Sequence, residues 1–104
     1  MSLTTEQIKQ ANSVLIALYG PDINRQSPTE KTVLILAKML KEIAKCNKKI
    51  DTLLSSIGGT TEAGWALRVL KAGAKLARND KNSFRICSSY TKNLYKDSLI
   101  ISMM

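Results

Sequence analysis

The chain has 104 residues, 44% of them hydrophobic and 23% charged. That balance suits one folded domain with a single modest core, and it excludes the apolar-poor composition of a disordered chain. Sixteen basic against eight acidic residues give a net charge of +8, a field that draws nucleic acid, anionic lipid or an acidic protein surface without choosing among them.

Apolar residues recur with a period near 3.6 along almost the whole chain and no alternating run marks a strand, so an all-α protein is predicted. The first helix begins after Thr4 or Thr5, turns Ile8, Ala11, Leu15 and Leu18 inward, and stops at Gly20-Pro21. A loop through Asp22 and Asn24 then reaches Ser27-Pro28-Thr29-Glu30. Here Ser27 is read as the N-cap, Pro28 as a first-turn residue, and Glu30 as the partner that completes a capping box.

From Val33 a three-and-four spacing runs through Leu36, Leu40, Ile43, Asn47, Ile50, Leu54 and Ile57 as far as Gly58-Gly59. It predicts one helix of roughly 28 residues, about 42 Å long. A second row at Met39, Cys46 and Leu53, beside Ala37 and Ala44, makes the buried stripe wider than a two-stranded seam. Asn47 interrupts the seam either as a register-setting residue between chains or as a bend in an intramolecular packing, and the intramolecular reading is preferred. A monomer is accordingly favoured, with a dimer on the Val33–Ile57 seam as the other option.

The third helix starts after Thr60 or Thr61 and runs to about Arg78, with Ala66, Val69, Leu70, Gly73, Leu76 and Ala77 inward. Its small residues permit close approach of another helix, although Gly73 costs about 1 kcal/mol of helix propensity relative to Ala. After a break at Asn79-Asp80, a fourth helix begins after Ser88 or Ser89, its apolar pattern running through Tyr90, Leu94, Leu99 and Met103, and the apolar end Leu99–Met104 docks on the other helices, a partner or membrane contact being the alternative. The predicted architecture is an antiparallel four-helix bundle in which residues 1–104 form one domain.

There is no histidine, which removes the usual general base and the commonest metal ligand. Carboxylates are scattered, several at helix starts where they complement the dipole. Gly58-Gly59-Thr60-Thr61 lacks the lysine of a phosphate-binding loop and reads as a C-cap followed by an N-cap. No catalytic residue, metal ligand or cofactor site is therefore assigned, and a non-enzymatic protein is expected. Cys46 and Cys87 lack the spacing of a metal site or a disulfide framework and are read as reduced, buried-type thiols. With no secretion signal and no apolar stretch long enough to span a bilayer, a cytoplasmic location is expected, with peripheral attachment to the inner face of the membrane as an extension of it.

Residues 60–104 carry eight basic and three acidic side chains, against eight and five in residues 1–59. Within that half, Arg68, Lys71, Lys75 and Arg78 fall inside an arc of about 80° at 100° per residue, opposite the apolar face, and Lys81 and Arg85 continue the positive charge, as do Lys92 and Lys96. Arg68, Lys71, Lys75, Arg78, Lys81 and Arg85 are the candidate partner-binding residues, the alternative being that this is one solvated helix face that happens to be basic. Trp65, at the edge of the stripe, reads as a core-edge residue or as an interface anchor.

A first helix ending in Leu18-Tyr19, a long second helix, a third breaking at Asn79-Asp80-Lys81-Asn82 and a fourth carrying Leu94-Tyr95 together resemble the enterocin A immunity family of class IIa bacteriocin immunity proteins. The resemblance implies a four-helix bundle in the cytosol of a Gram-positive bacterium that protects the cell from a pore-forming peptide. The implied partner is the membrane mannose-phosphotransferase permease with bound bacteriocin, with specificity in the C-terminal half. This chain departs from the family where it ends, just after the fourth helix, which leaves open the toxin it answers. The rival reading is a small basic nucleic-acid-binding or regulatory protein of phage or plasmid type. Against it stand the absence of a helix-turn-helix signature and the one Phe and three Tyr available for base stacking.

Overall fold

Thr4 begins the first helix by exchanging two bonds with Gln7: its hydroxyl accepts from the Gln7 amide at 3.1 Å, and the Gln7 side chain accepts from the Thr4 amide at 2.9 Å. Two of the donors orphaned at any helix start are thereby satisfied, and α1 (Thr5–Tyr19) follows. It ends at Gly20, whose φ of +88° is open to glycine at little cost, and a short 3-10 turn at Pro21–Ile23 comes next. The computed structural model describes residues 3–23, 27–46, 48, 51–52 and 62–104. Asn24, Asn47, Ile50, Leu53, Leu54, Ile57, the Gly58-Gly59 stop and the Thr60/Thr61 start lie outside the described residues.

Helix α2 (Glu30–Ala44) is capped by Thr29, not by Ser27. The Thr32 hydroxyl accepts from the Thr29 amide at 3.0 Å and the Thr29 hydroxyl from the Thr32 amide at 3.3 Å, so the reciprocal box is Thr-x-x-Thr and Glu30 is merely its first helical residue. Tertiary structure makes that choice. Thr29 Oγ1 donates to the Ser102 carbonyl at 2.9 Å, Ser102 Oγ donates to the Leu99 carbonyl at 2.6 Å, and Thr32 Oγ1 lies 2.7 Å from Ser102 Oγ. The start of α2 is thus hydrogen-bonded to the end of the last helix, where Ser27 has no such partner.

The single long helix expected to carry the apolar row from Val33 to Ile57 is interrupted. Regular α-helix ends at Ala44, and the Lys45 and Cys46 amides bond three residues back, to Glu42 and Ile43, in a 3-10-like turn; Lys48, Asp51 and Thr52 are again helical. Neither glycine nor proline marks this break. What distinguishes the position is that Cys46 is exposed and disulfide-bonded to Cys87, with Cα atoms 5.5 Å apart, well within disulfide geometry. The reading of both cysteines as reduced and buried is therefore corrected: Cys87 is buried, Cys46 is not, and a fold that joins positions 41 residues apart brings them together. Spacing along the chain carries no trace of that closure.

Helix α3 (Glu62–Asn79) packs chiefly on α2 and α1. Gly73 is buried against Leu40, and Ala66, Val69, Leu70 and Ala77 share its inner face as expected, with Leu76 half-buried. Trp65 is partly buried and packs against the core. Only Asp80 separates α3 from α4 (Lys81–Ser88), which it caps by accepting from the Ser83 amide. Helix α5 (Thr91–Ser102) completes the set. The described residues thus form five α-helices and no strand, an all-α globule with a radius of gyration of 12.4 Å, close to the ~13 Å of a compact chain of this length.

The last segment differs from its expected register. Leu99 and Met103 are buried, but Tyr90 and Leu94 are 74% and 62% exposed. Within α5 Leu94 stands about 140° from Leu99 at 100° per residue, so the two cannot share an inner face, and the inward arc passes through Thr91, Leu99, Ser102 and Met103. Two anchors hold that phase: the Ser102 network, and Tyr19, whose hydroxyl donates to the Lys92 carbonyl at 2.5 Å. At the C-terminal end Leu99 and Met103 dock as expected, whereas Ile101 and Met104 stay exposed. No described helix is long and apolar enough to cross a membrane.

Candidate functional site

Three helix faces meet in a groove of about 830 Å³. From α1 come Glu6, Lys9, Gln10, Ser13, Ile16 and Ala17, whose three-and-four spacing keeps them on one face, away from Ala11, Leu15 and Leu18 in the core. From α3 come Lys71, Ala74, Lys75, Ala77 and Arg78, and from α4 Lys81, Phe84 and Arg85. Because Asp80 alone intervenes, the basic spacing of α3 continues onto α4 and bends round the end of the groove.

The wall is electropositive: Lys9, Lys71, Lys75, Arg78, Lys81 and Arg85 line it, with Glu6 the one carboxylate among the lining residues. All six cations are exposed, and among the described residues no ion pair engages them. Like charges on neighbouring turns raise the local potential and attract anions. The floor is different in kind. Ala17, Ala74, Ala77 and Phe84 lie under the cations, Phe84 only 1% exposed, while Ile16 is 41% exposed. Ser13 adds a hydroxyl that donates to the Lys9 carbonyl at 3.0 Å. Such an arrangement can hold an anionic ligand and cover an apolar one.

Of the six residues chosen from the sequence, the structure brings Lys71, Lys75, Arg78, Lys81 and Arg85 into one groove and leaves Arg68 outside it, exposed on the same helix. Lys92 is half-buried with its carbonyl committed to Tyr19, and Lys96 lines a smaller cleft of about 410 Å³ with Tyr19, Asp22 and Met103, so neither extends the patch. Sequence reasoning missed Lys9 and the whole α1 wall. The signal was present as a polar face at Glu6, Lys9, Gln10 and Ser13, but helical periodicity does not say which neighbour that face adjoins.

Burial pushes the Tyr19 phenol up to about 12 by disfavouring the phenolate. Among the described residues no group of three or more Cys, Asp or Glu side chains comes together as a metal site would require. No model of a known protein family matches the chain, and comparisons with characterised proteins and with solved structures find no match either.

Proposed function

We propose that this chain is a non-catalytic binding protein that shields a bacterial cell from a pore-forming peptide of the class IIa bacteriocin kind, engaging an acidic surface through the basic groove. The observation that carries the reading is the convergence of six cations from three helices on a concave surface with one carboxylate. The resemblance in helix layout supplies the biological setting: a permease of the mannose-phosphotransferase type with bacteriocin attached, approached from its cytoplasmic side. In this reading α1, α2, α3 and α5 are the four members of an antiparallel bundle, and α4 is a brace that closes the groove.

The test is protection. Expressed in a bacteriocin-sensitive strain at matched protein levels, the wild type should protect, and a variant with Lys71, Lys75, Arg78 and Arg85 changed to Gln should not. Arg68→Gln, on the same helix but outside the groove, should protect fully. Equal protection by all three proteins would remove the groove from the function. The nucleic-acid reading rests on the same net charge, and it requires duplex binding that weakens steeply with salt. A tight complex at physiological salt would favour it.

A further inference from the structure

We infer that the ligand of the groove is an acidic amphipathic helix of a protein partner, lying along α1 and α3 with carboxylates on the cations and an apolar row on the floor. The inference rests on the binding reading above and specifies its ligand. Charge fixes the first half: the lining cations have one carboxylate among them, and the partner must supply the balance.

Spacing fixes the second half. Lys71, Lys75 and Arg78 stand at i, i+4 and i+7 on α3, so they repeat over about 10.5 Å at 1.5 Å per residue. A parallel helix laid alongside presents carboxylates at i, i+4 and i+7 with the same rise, and an antiparallel one does so at i, i+3 and i+7. The small side chains of Ala17 and Ala74 let a helix backbone approach, and Ile16 offers exposed apolar surface to cover. Seating an amphipathic helix in a groove by its apolar face is a recurrent mode of peptide recognition. A nucleic-acid duplex fits poorly, because its phosphates are convex ridges and leave an apolar floor uncovered, and proteins that read its grooves present convex helices to them.

The experiment is calorimetric titration of the purified chain with synthetic peptides. One is helical, with Glu at i, i+4 and i+7 and Leu on the adjoining face; a second has the same Glu residues but Ser in place of Leu; a random-sequence DNA duplex is the third probe. The Leu peptide should bind saturably with a negative heat-capacity change, the mark of buried apolar surface. The Ser peptide should bind at least about tenfold more weakly, about 1.4 kcal/mol. Ile16→Ser, which depletes the apolar surface, should weaken the Leu peptide and spare the Ser peptide; Ala74→Leu, which denies a helix backbone its approach, should weaken both, and Lys75→Glu with Arg78→Glu should abolish both. Circular dichroism checks that each variant is folded, and the exposed Ile16 keeps the test available if Ala74→Leu is not. Equal binding of the two peptides, no saturable binding of either, or tighter binding of the duplex at physiological salt would overturn the inference. Peptide binding is read on purified protein and protection in cells, so a failed immunity reading leaves this result standing, and the converse holds.

Discussion

Leu40 fills the space that a side chain at Gly73 would need: its Cδ1 and Cδ2 lie 2.5 and 2.9 Å from where a Cβ on Gly73 would stand. Helix propensity favours Ala over Gly by about 1 kcal/mol, but overpacking a tight core costs about 1–3 kcal/mol. Gly73→Ala should therefore lower stability by up to about 2 kcal/mol in denaturant unfolding. In a Leu40→Ala background, itself destabilised by about 2–5 kcal/mol, the same substitution should become stabilising. An unchanged sign in that background would mean that the two residues do not share the space.

Thr32→Val keeps shape and volume while deleting the hydroxyl that closes the cap with Thr29 and meets Ser102. Losing the reciprocal bond from the Thr29 amide costs about 1 kcal/mol, and leaving the buried Ser102 hydroxyl without this partner adds about 1–3 kcal/mol. A total loss of about 2–4 kcal/mol is expected from urea unfolding, with faster amide hydrogen exchange in both α2 and α5. Faster exchange confined to α2 would show that the link across to Ser102 contributes nothing.

The Cys46–Cys87 bond joins residues 41 apart, and loop-closure entropy assigns such a link about 4 kcal/mol. Reduction, or Cys46→Ser with Cys87→Ser, should lower the thermal midpoint markedly while the far-ultraviolet helical signal at room temperature persists. Persistence matters because cytosolic thiol pools keep cysteines reduced, and the proposed site of action is the cytoplasmic side of a membrane. Loss of helix on reduction would place the working protein in an oxidising compartment.

The Tyr19 phenol is raised from 10.0 to about 12 in the folded chain. A proton held more tightly when folded contributes stability that is complete below the unfolded value, declines as pH rises past 10, and is gone once pH passes the folded value. Tyr19→Phe should flatten that part of the pH–stability curve, and phenolate absorbance of the native protein should show one tyrosine titrating near pH 12 that the variant lacks. Titration of Tyr19 near pH 10 would place its phenol in water.

Helix α1 and the inner faces of α2 and α3 were legible because they depend on local rules: Thr4 caps, Gly20 stops, and Leu15, Leu36, Leu40, Val69 and Leu70 recur at helical spacing. The failures have a common cause. Ser27 and Thr29 are both competent caps by composition, and a bond to Ser102 decides between them. The break after Ala44 and the cysteine pairing depend on α4 standing beside the end of α2, and since Leu94 and Leu99, five apart, cannot face one way on one helix, the anchors at Tyr19 and Ser102 decide which of them turns inward. Lys71, Lys75 and Arg78 gathered because a helical stripe is local, whereas Lys81 and Arg85 arrive on α4 and Lys9 on α1 through neighbour relations that no periodicity encodes.

The hydrogen bonds that fasten α5 span 70 to 73 residues, from Tyr19 to Lys92 and from Thr29 and Thr32 to Ser102. Contacts so distant in sequence close long loops, and they close late. A chain leaving the ribosome has already exposed α1, α2 and α3 before the last turn of α5 exists. During that interval the α2 surface that later receives Leu99 and Ser102 stands open to water. In that order of emergence α5 is received by the earlier helices as an intramolecular ligand, and a separate peptide copied from Thr91–Met104 should compete for that seat during synthesis.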